Sequence, residues 1–133
     1  MRIYMDTSAI ISSITSEANG PAVRKHLDAA VLKGAILVTS VVAEVEVKRT
    51  SQKIGLTKSD VENLLSRYEI LPLTPKIADF AGWLGAPEGL EYLRSLDAIH
   101  VATAKMGDVD YAITFDKKQS AAFRDSGINV EEL

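Results

Sequence analysis

Short apolar stretches alternate along this chain with segments whose apolar residues recur every three or four positions, the periods of buried strands and amphipathic helices. Arg2-Ile3-Tyr4-Met5 runs into the turn-forming Asp6-Thr7-Ser8 and predicts a first strand, with a helix from Ala9 to Ile14 after it. Past the break at Asn19-Gly20-Pro21, Val23, Leu27, Ala30 and Val31 fall at helical spacing between Ala22 and Leu32, and Gly34 supplies a stop. Ala35 to Val38 is a second strand. Ser40 caps a helix reaching Ile54, and Thr57, beyond Gly55, caps another with Val61, Leu64 and Leu65 on one face. Ile70-Leu71 predicts a brief third strand, and Thr74-Pro75 an N-cap with proline in the first position of a helix to Trp83. Gly85, Pro87 and Gly89 mark a loop. Ser95 then opens a helix, apolar almost all round through Leu96, Ile99, Val101, Ala102 and Met106 and closed by Gly107, which should be buried. A fourth strand at Tyr111 to Thr114, a helix over Lys117 to Asp125 ended by Gly127, and a last short strand at Ile128 to Val130 complete the pattern.

Short apolar strands alternating with helices imply a parallel sheet, because parallel crossovers lay helices on both of its faces. The fold class is therefore α/β. A chain of 133 residues suits one compact domain over residues 1–133, and no repeat, low-complexity tract or linker divides it. With 47% hydrophobic and 25% charged residues it can bury an ordinary core. The absence of cysteine removes disulfides, thiol catalysis and cysteine-ligated zinc, and fits a reducing compartment. Arg2 and Asp6 interrupt the N-terminal apolar stretch, unlike a signal peptide, and no run of about 18 apolar residues offers a membrane span. A cytoplasmic protein is expected. The net charge of −3 argues against bulk electrostatic binding of nucleic acid, so any RNA contact must be local.

Ligands of open parallel sheets bind beyond the carboxyl ends of the strands, where Asp6 and Asp116 fall. Each also fits a helix cap: Asp6 starts a turn, and Asp116 with Gln119 has capping-box spacing. Asp97 lies in the first turn of its helix, where the dipole favours a negative charge by roughly 0.3–1 kcal/mol. Flanked by Leu96, Ala98 and Ile99 on a helix expected to be buried, an unpaired carboxylate there would cost far more than that, so a cation or basic partner is expected. Two acids from strand ends and a third at the start of a buried helix can converge. Hard divalent cations choose carboxylate oxygens, keep several waters and are commonly bound with help from substrate phosphates, which points to phosphodiester chemistry.

Four stretches, MDTSAII at Met5 to Ile11, LVTSVVAEVEVKR at Leu37 to Arg49, LRSLDAIHVATA at Leu93 to Ala104 and AITFDKKQSAAF at Ala112 to Phe123, together span nearly the whole chain. In that order the sequence resembles the PIN domain, and within it the toxin-like VapC members. The resemblance implies a three-layer α/β/α sandwich with a central parallel sheet, often dimeric. It implies a ribonuclease in which Asp6, Glu46, Asp97 and Asp116 bind one or two Mg²⁺ or Mn²⁺ ions, with Ser8 and Thr114 matching nearby polar positions. Arg49 looks like the family's recurrent basic residue after the glutamate. A small antitoxin that inserts a segment into the active-site groove is implied as a partner, beside the RNA substrate.

Glu44 stands four residues before Lys48 and has a surface ion pair as sufficient explanation. Glu46, sharing a face with Val42 and Arg49 beside an inward-pointing Val45, is expected at the core's edge, with Arg49 available to pair with it. His100 is expected as a satisfied core histidine, and His26 as a surface residue. Lys48, Arg49, Lys53, Lys117 and Lys118 could meet RNA phosphates around an acidic mouth. Trp83 and Phe80 are expected in the core, the alternative being a partner anchor; Leu64, Leu65 and Trp83 are the apolar positions that would serve a homodimer. Three other functions share parts of this pattern. A phosphoacceptor receiver domain is disfavoured because no adjacent acidic pair follows the first strand, and an Asp-x-Asp phosphatase because Ser8 stands where the second acid would be. A catalytically silent PIN scaffold that binds RNA or a protein partner is opposed by retention of all four acids.

Overall fold

Ile3, Tyr4 and Met5 are wholly buried in succession, which requires apolar cover on both faces of their strand. The computed structural model, which describes residues 1–16, 19–85, 89–90 and 92–133, supplies that cover. Strands β1 (Arg2–Met5), β2 (Ile36–Ser40), β3 (Tyr68–Leu71) and β4 (Tyr111–Ile113) form one sheet in the order β3-β2-β1-β4. All three pairings are parallel, with Tyr4 opposite Val38 on one side and Ala112 on the other. The helices are α1 (Thr7–Ser12), α2 (Gly20–Leu32), α3 (Val41–Lys53), α4 (Lys58–Leu65), α5 (Pro75–Trp83), α6 (Ser95–Met106) and α7 (Lys117–Asp125).

Because side chains alternate along a strand, β1 sends Ile3 and Met5 to one face and Tyr4 to the other. Ile3 and Met5 pack with Ala9, Ile10, Val23, Leu27, Ala43, Val47, Val61 and Leu64, from α1 to α4. Tyr4 packs with Val101, Ala104, Ala122 and Phe123 of α6 and α7, while Ile77 and Ala81 of α5 lie against Ala98 and Ala102 of α6. The result is the expected three-layer α/β/α sandwich. Successive strands build outward from β1 through β2 to β3, and the chain then returns to lay β4 on the opposite side of β1. That reversal opens a crevice at the carboxyl ends of β1 and β4.

Local differences from the expected elements have physical causes. Asp6 accepts from Ala9 N and starts α1 at Thr7, while Ser13 Oγ donates to the Ile10 carbonyl as the helix ends earlier than expected. Gly20 and Pro21 belong to α2 rather than preceding it; proline suits a first turn, and a Cβ on Gly20 would sit 2.2 Å from the Thr15 carbonyl oxygen. Val130 forms only an isolated parallel bridge with Ala112, not a strand. Of the expected loop, Pro87 lies outside the described residues.

Three assignments of faces need correction. Ile77 and Ala81 are the inward positions of α5, so Phe80 and Trp83 turn away from the core, with Trp83 80% exposed. Leu64 and Leu65 are buried, each gaining roughly 1.5–3 kcal/mol from burial, and offer no surface to a second copy. In α3 the inward positions are Ala43, Val47 and Ser51, which places Val45 outward at 55% exposure. Among the described residues no helix is long and apolar enough to cross a membrane.

Candidate active site

The turn after β1 and the turn after β4 are clasped together by hydroxyls. Ser8 Oγ donates to Asp6 Oδ1 at 2.7 Å and accepts from Phe115 N at 3.0 Å. The Thr114 hydroxyl donates to Asp6 Oδ2 and accepts from Asp116 N at 3.1 Å. Asp6 is almost wholly buried, with both oxygens engaged: Oδ1 also caps α1 at Ala9 N, 3.0 Å away. Burial pushes its carboxyl above the ordinary range; the bonds from Thr114, Ser8 and Ala9, together with His100, pull back without cancelling that effect.

Asp116 caps α7, its Oδ1 accepting from Gln119 N at 3.0 Å. Only half of the capping box forms, because the Gln119 amide instead donates to the Asp97 carbonyl at 3.2 Å. That bond ties the start of α7 to the start of α6 and carries Asp97 toward Asp116. Asp97 is half-buried, and its carboxylate has no hydrogen-bond or ion-pair partner among the described residues. Burial and the Asp116 charge, with a smaller contribution from Glu46, push its carboxyl up; His100 and Arg94 oppose them. Leu96 is exposed, so the buried part of α6 begins at Ala98, leaving the first turn open to the site.

Glu46 reaches in from α3. Its Oε1 accepts from Thr7 Oγ1 at 2.8 Å and from His100 Nε2 at 3.0 Å. Burial raises its carboxyl, but these two donors outweigh burial and hold it below the ordinary range. Glu44 pairs instead with Lys48 at 2.9 Å on the surface, as expected. Arg49 is exposed and, contrary to expectation, forms no ion pair with Glu46; the ring that reaches Glu46 is His100.

Glu46, Asp97 and Asp116 line one open cleft of about 630 Å³, with Tyr92, Leu93, Arg94, Ser95, Leu96, Lys117 and Lys118 completing its wall. Asp6 lies outside that lining, joined to Asp116 through Thr114. Of the five basic residues proposed from sequence, only Lys117 and Lys118 line the cleft. Tyr92 and Arg94 were missed: the sequence signal was their position just before Asp97 on an uncapped helix start. His100 is the satisfied core histidine expected, 3% exposed, yet it also touches the site. His26 is partly buried and hydrogen-bonded to the Tyr111 hydroxyl at 2.8 Å.

Asp97, Asp116 Oδ2 and Glu46 Oε2 are oxygens without hydrogen-bond partners among the described residues, a donor set that suits a hard divalent cation. No ready-made cluster of three or more histidine, aspartate or glutamate side chains that could hold a metal ion is present among the described residues. A cation that keeps several waters does not need one.

The PIN-domain family profile matches residues 3–124. Ribonuclease VapC47 of Mycobacterium tuberculosis is 33% identical over 129 residues, covering 94% of this chain and 92% of its own. Ribonuclease VapC46 of the same species is 31% identical over 131 residues, covering 96% and 95%. A solved toxin–antitoxin complex from Klebsiella pneumoniae contains a chain that superposes with a TM-score of 0.74 at 21% identity, over 98% of this chain and 96% of that one. Mycobacterium tuberculosis VapC20, a sarcin–ricin-loop-cleaving toxin, superposes with 0.72 at 19% identity, over 90% and 94%. These two likenesses are of fold.

Proposed function

The chain belongs to the PIN-domain family, and we propose that it is a ribonuclease that cuts RNA phosphodiester bonds with a divalent cation, Mg²⁺ or Mn²⁺, as the toxin of a toxin–antitoxin pair. The observation that carries this reading is the convergence of Glu46, Asp97 and Asp116 on one cleft beside the clasped, buried Asp6. The names of the two ribonuclease relatives support the activity, and the toxin–antitoxin complex among the structural neighbours supports the biological setting.

Asp6, Glu46, Asp97 and Asp116 would hold the cation, with Ser8 and Thr114 fixing the Asp6 carboxylate. A bound divalent cation supplies a more acidic water and neutralises charge on the leaving oxygen. The acids therefore serve mainly to position it, and their negative charge makes the cleft hostile to a phosphate until positive charge arrives. Arg94, Lys117 and Lys118, which line the cleft and form no ion pairs among the described residues, would meet the flanking phosphates. Tyr92 offers a ring on which a base can stack, worth about 1–3 kcal/mol per base in single-strand binding. Small antitoxin, RNA and a second copy of the chain are the proposed partners.

The test is incubation of the purified chain with a mixed RNA pool. Cleavage is expected with Mg²⁺ or Mn²⁺ and should stop on adding EDTA. RNA binding without cleavage under either metal would support the silent scaffold and overturn the enzymatic reading.

A further inference from the structure

The strongest unassigned feature is a buried polar chain that crosses the protein from the sheet to the cleft. Tyr4, wholly buried on the central strand, places its hydroxyl 2.6 Å from His100 Nδ1. His100 Nε2 lies 3.0 Å from Glu46 Oε1, which Thr7 also reaches. The Tyr4 and His100 rings meet edge-on, with centroids 5.9 Å apart and planes at 75°, and Phe123 also packs edge-on against Tyr4. We infer that His100 is a positioning residue for Glu46, oriented in turn by Tyr4, and that this chain fixes which carboxylate oxygen faces the cleft.

Hydrogen-bond chemistry assigns the direction of the chain. An ionised carboxylate only accepts, so His100 Nε2 must carry the hydrogen toward Glu46. In a neutral imidazole Nδ1 is then the acceptor, and the Tyr4 hydroxyl donates to it. Both contacts to Glu46 fall on Oε1, leaving Oε2 as the oxygen free to engage a cation. Without Tyr4 the ring loses the partner that selects its tautomer, and without His100 the glutamate keeps only Thr7 as a tether. The inference rests on the reading of Glu46 as a cation-holding residue, and it adds two residues that touch neither metal nor RNA.

The experiment compares Mn²⁺ binding by titration calorimetry for the wild type, His100→Leu, His100→Gln and Tyr4→Phe. Long-range ¹H–¹⁵N correlation of the His100 ring is recorded without metal. Loss of outer-shell support weakens metal affinity by about 10–100-fold, and His100→Leu should fall in that range. His100→Gln, whose amide can still donate to Glu46, should recover most of the affinity. Tyr4→Phe, which keeps the ring and its packing, should fall between wild type and His100→Leu. Turnover should drop in the same order while the KM for RNA holds. The wild-type ring should carry its hydrogen on Nε2, and Tyr4→Phe should mix the two tautomers.

Equal Mn²⁺ affinity in wild type and all variants would overturn the positioning role while leaving the ribonuclease reading intact. Equal damage in His100→Gln and His100→Leu would reduce His100 to a space-filling residue and overturn it too, as would a wild-type hydrogen on Nδ1. No Mn²⁺ binding by the wild type would overturn the metal-dependent reading itself and this inference with it.

Discussion

Replacing Thr114 by valine keeps the side-chain shape and removes one hydroxyl from a site only 9% exposed. That hydroxyl donates to Asp6 Oδ2 and accepts from Asp116 N. Losing a hydrogen bond to an ionised carboxylate costs about 1.5–3 kcal/mol. The part-buried Asp116 N–H also loses its acceptor, and the buried methyl returns about 0.8 kcal/mol at most. The net loss is therefore about 1–3 kcal/mol near neutral pH, or roughly 3–12 °C in Tm for a domain of this size. The loss should depend on pH in a specific direction. Asp6 already has a folded-state pKa above its ordinary value because of burial, and removing Thr114, which lowers it, pushes it further up. A carboxyl raised in this way carries a destabilising contribution above its folded pKa that disappears as pH falls toward the unfolded value. The variant takes up its proton first on acidification, so its deficit should shrink as pH falls. Thermal and urea denaturation followed by circular dichroism in EDTA, in steps from about pH 8 to 4.5, measures the difference. A deficit that stays flat, or that widens on acidification, would refute the assignment of Thr114 as support for ionised Asp6.

Glu46→Gln should reduce metal-dependent RNA cleavage by more than about 100-fold, beyond the usual cost of losing an outer-shell partner. Glu44→Gln loses only an exposed pair worth about 0.3–0.5 kcal/mol and should cleave within a few-fold of wild type; initial rates on the two purified variants decide it. Asp97→Asn should abolish cleavage while its metal-free melting temperature holds or rises, because one of three mutually repelling charges is gone. A melting temperature that drops with the activity would instead make Asp97 structural. Light scattering should find a homodimer, and Trp83→Glu should dissociate it if the exposed indole of α5 lies in the contact; a wild-type monomer at high micromolar concentration would refute the dimer.

Strands were legible because burial on both faces leaves continuous apolar runs, as at Ile3-Tyr4-Met5 and Leu37-Val38. Caps at Ser40, Thr57 and Thr74 were legible because a hydroxyl before a periodic run has a local job, and all three accept a backbone N–H of the helix they start. Inward faces were read less well. Trp83, Phe80 and Val45 are apolar enough for a core, and only the packing of α5 on α6 and of α3 on the sheet shows that Ile77 and Ala43 set the phase. Asp6 and Asp116 followed from topology, since residues after parallel strands gather at one edge. The Glu46–His100 contact joins residues 54 apart in sequence, and nothing local in either helix announces it.

Asp6 and Asp116 each spend one carboxylate oxygen on starting a helix. Two of the acids proposed to hold the cation are thus also parts of the scaffold. An alanine at either position deletes the charge and the cap together, at about 0.5–2 kcal/mol for the cap alone, and in a cell such a loss lowers the amount of folded chain as well as its chemistry. Loss of RNA cleavage in an extract of an alanine strain would then report abundance and catalysis in one number. At Asp116, whose Oδ2 has no partner among the described residues, asparagine keeps the oxygen that caps and discards only the charge, so it separates the two, and a cleavage-deficient strain carrying Asp116→Asn would still display the folded surface on which an antitoxin could close.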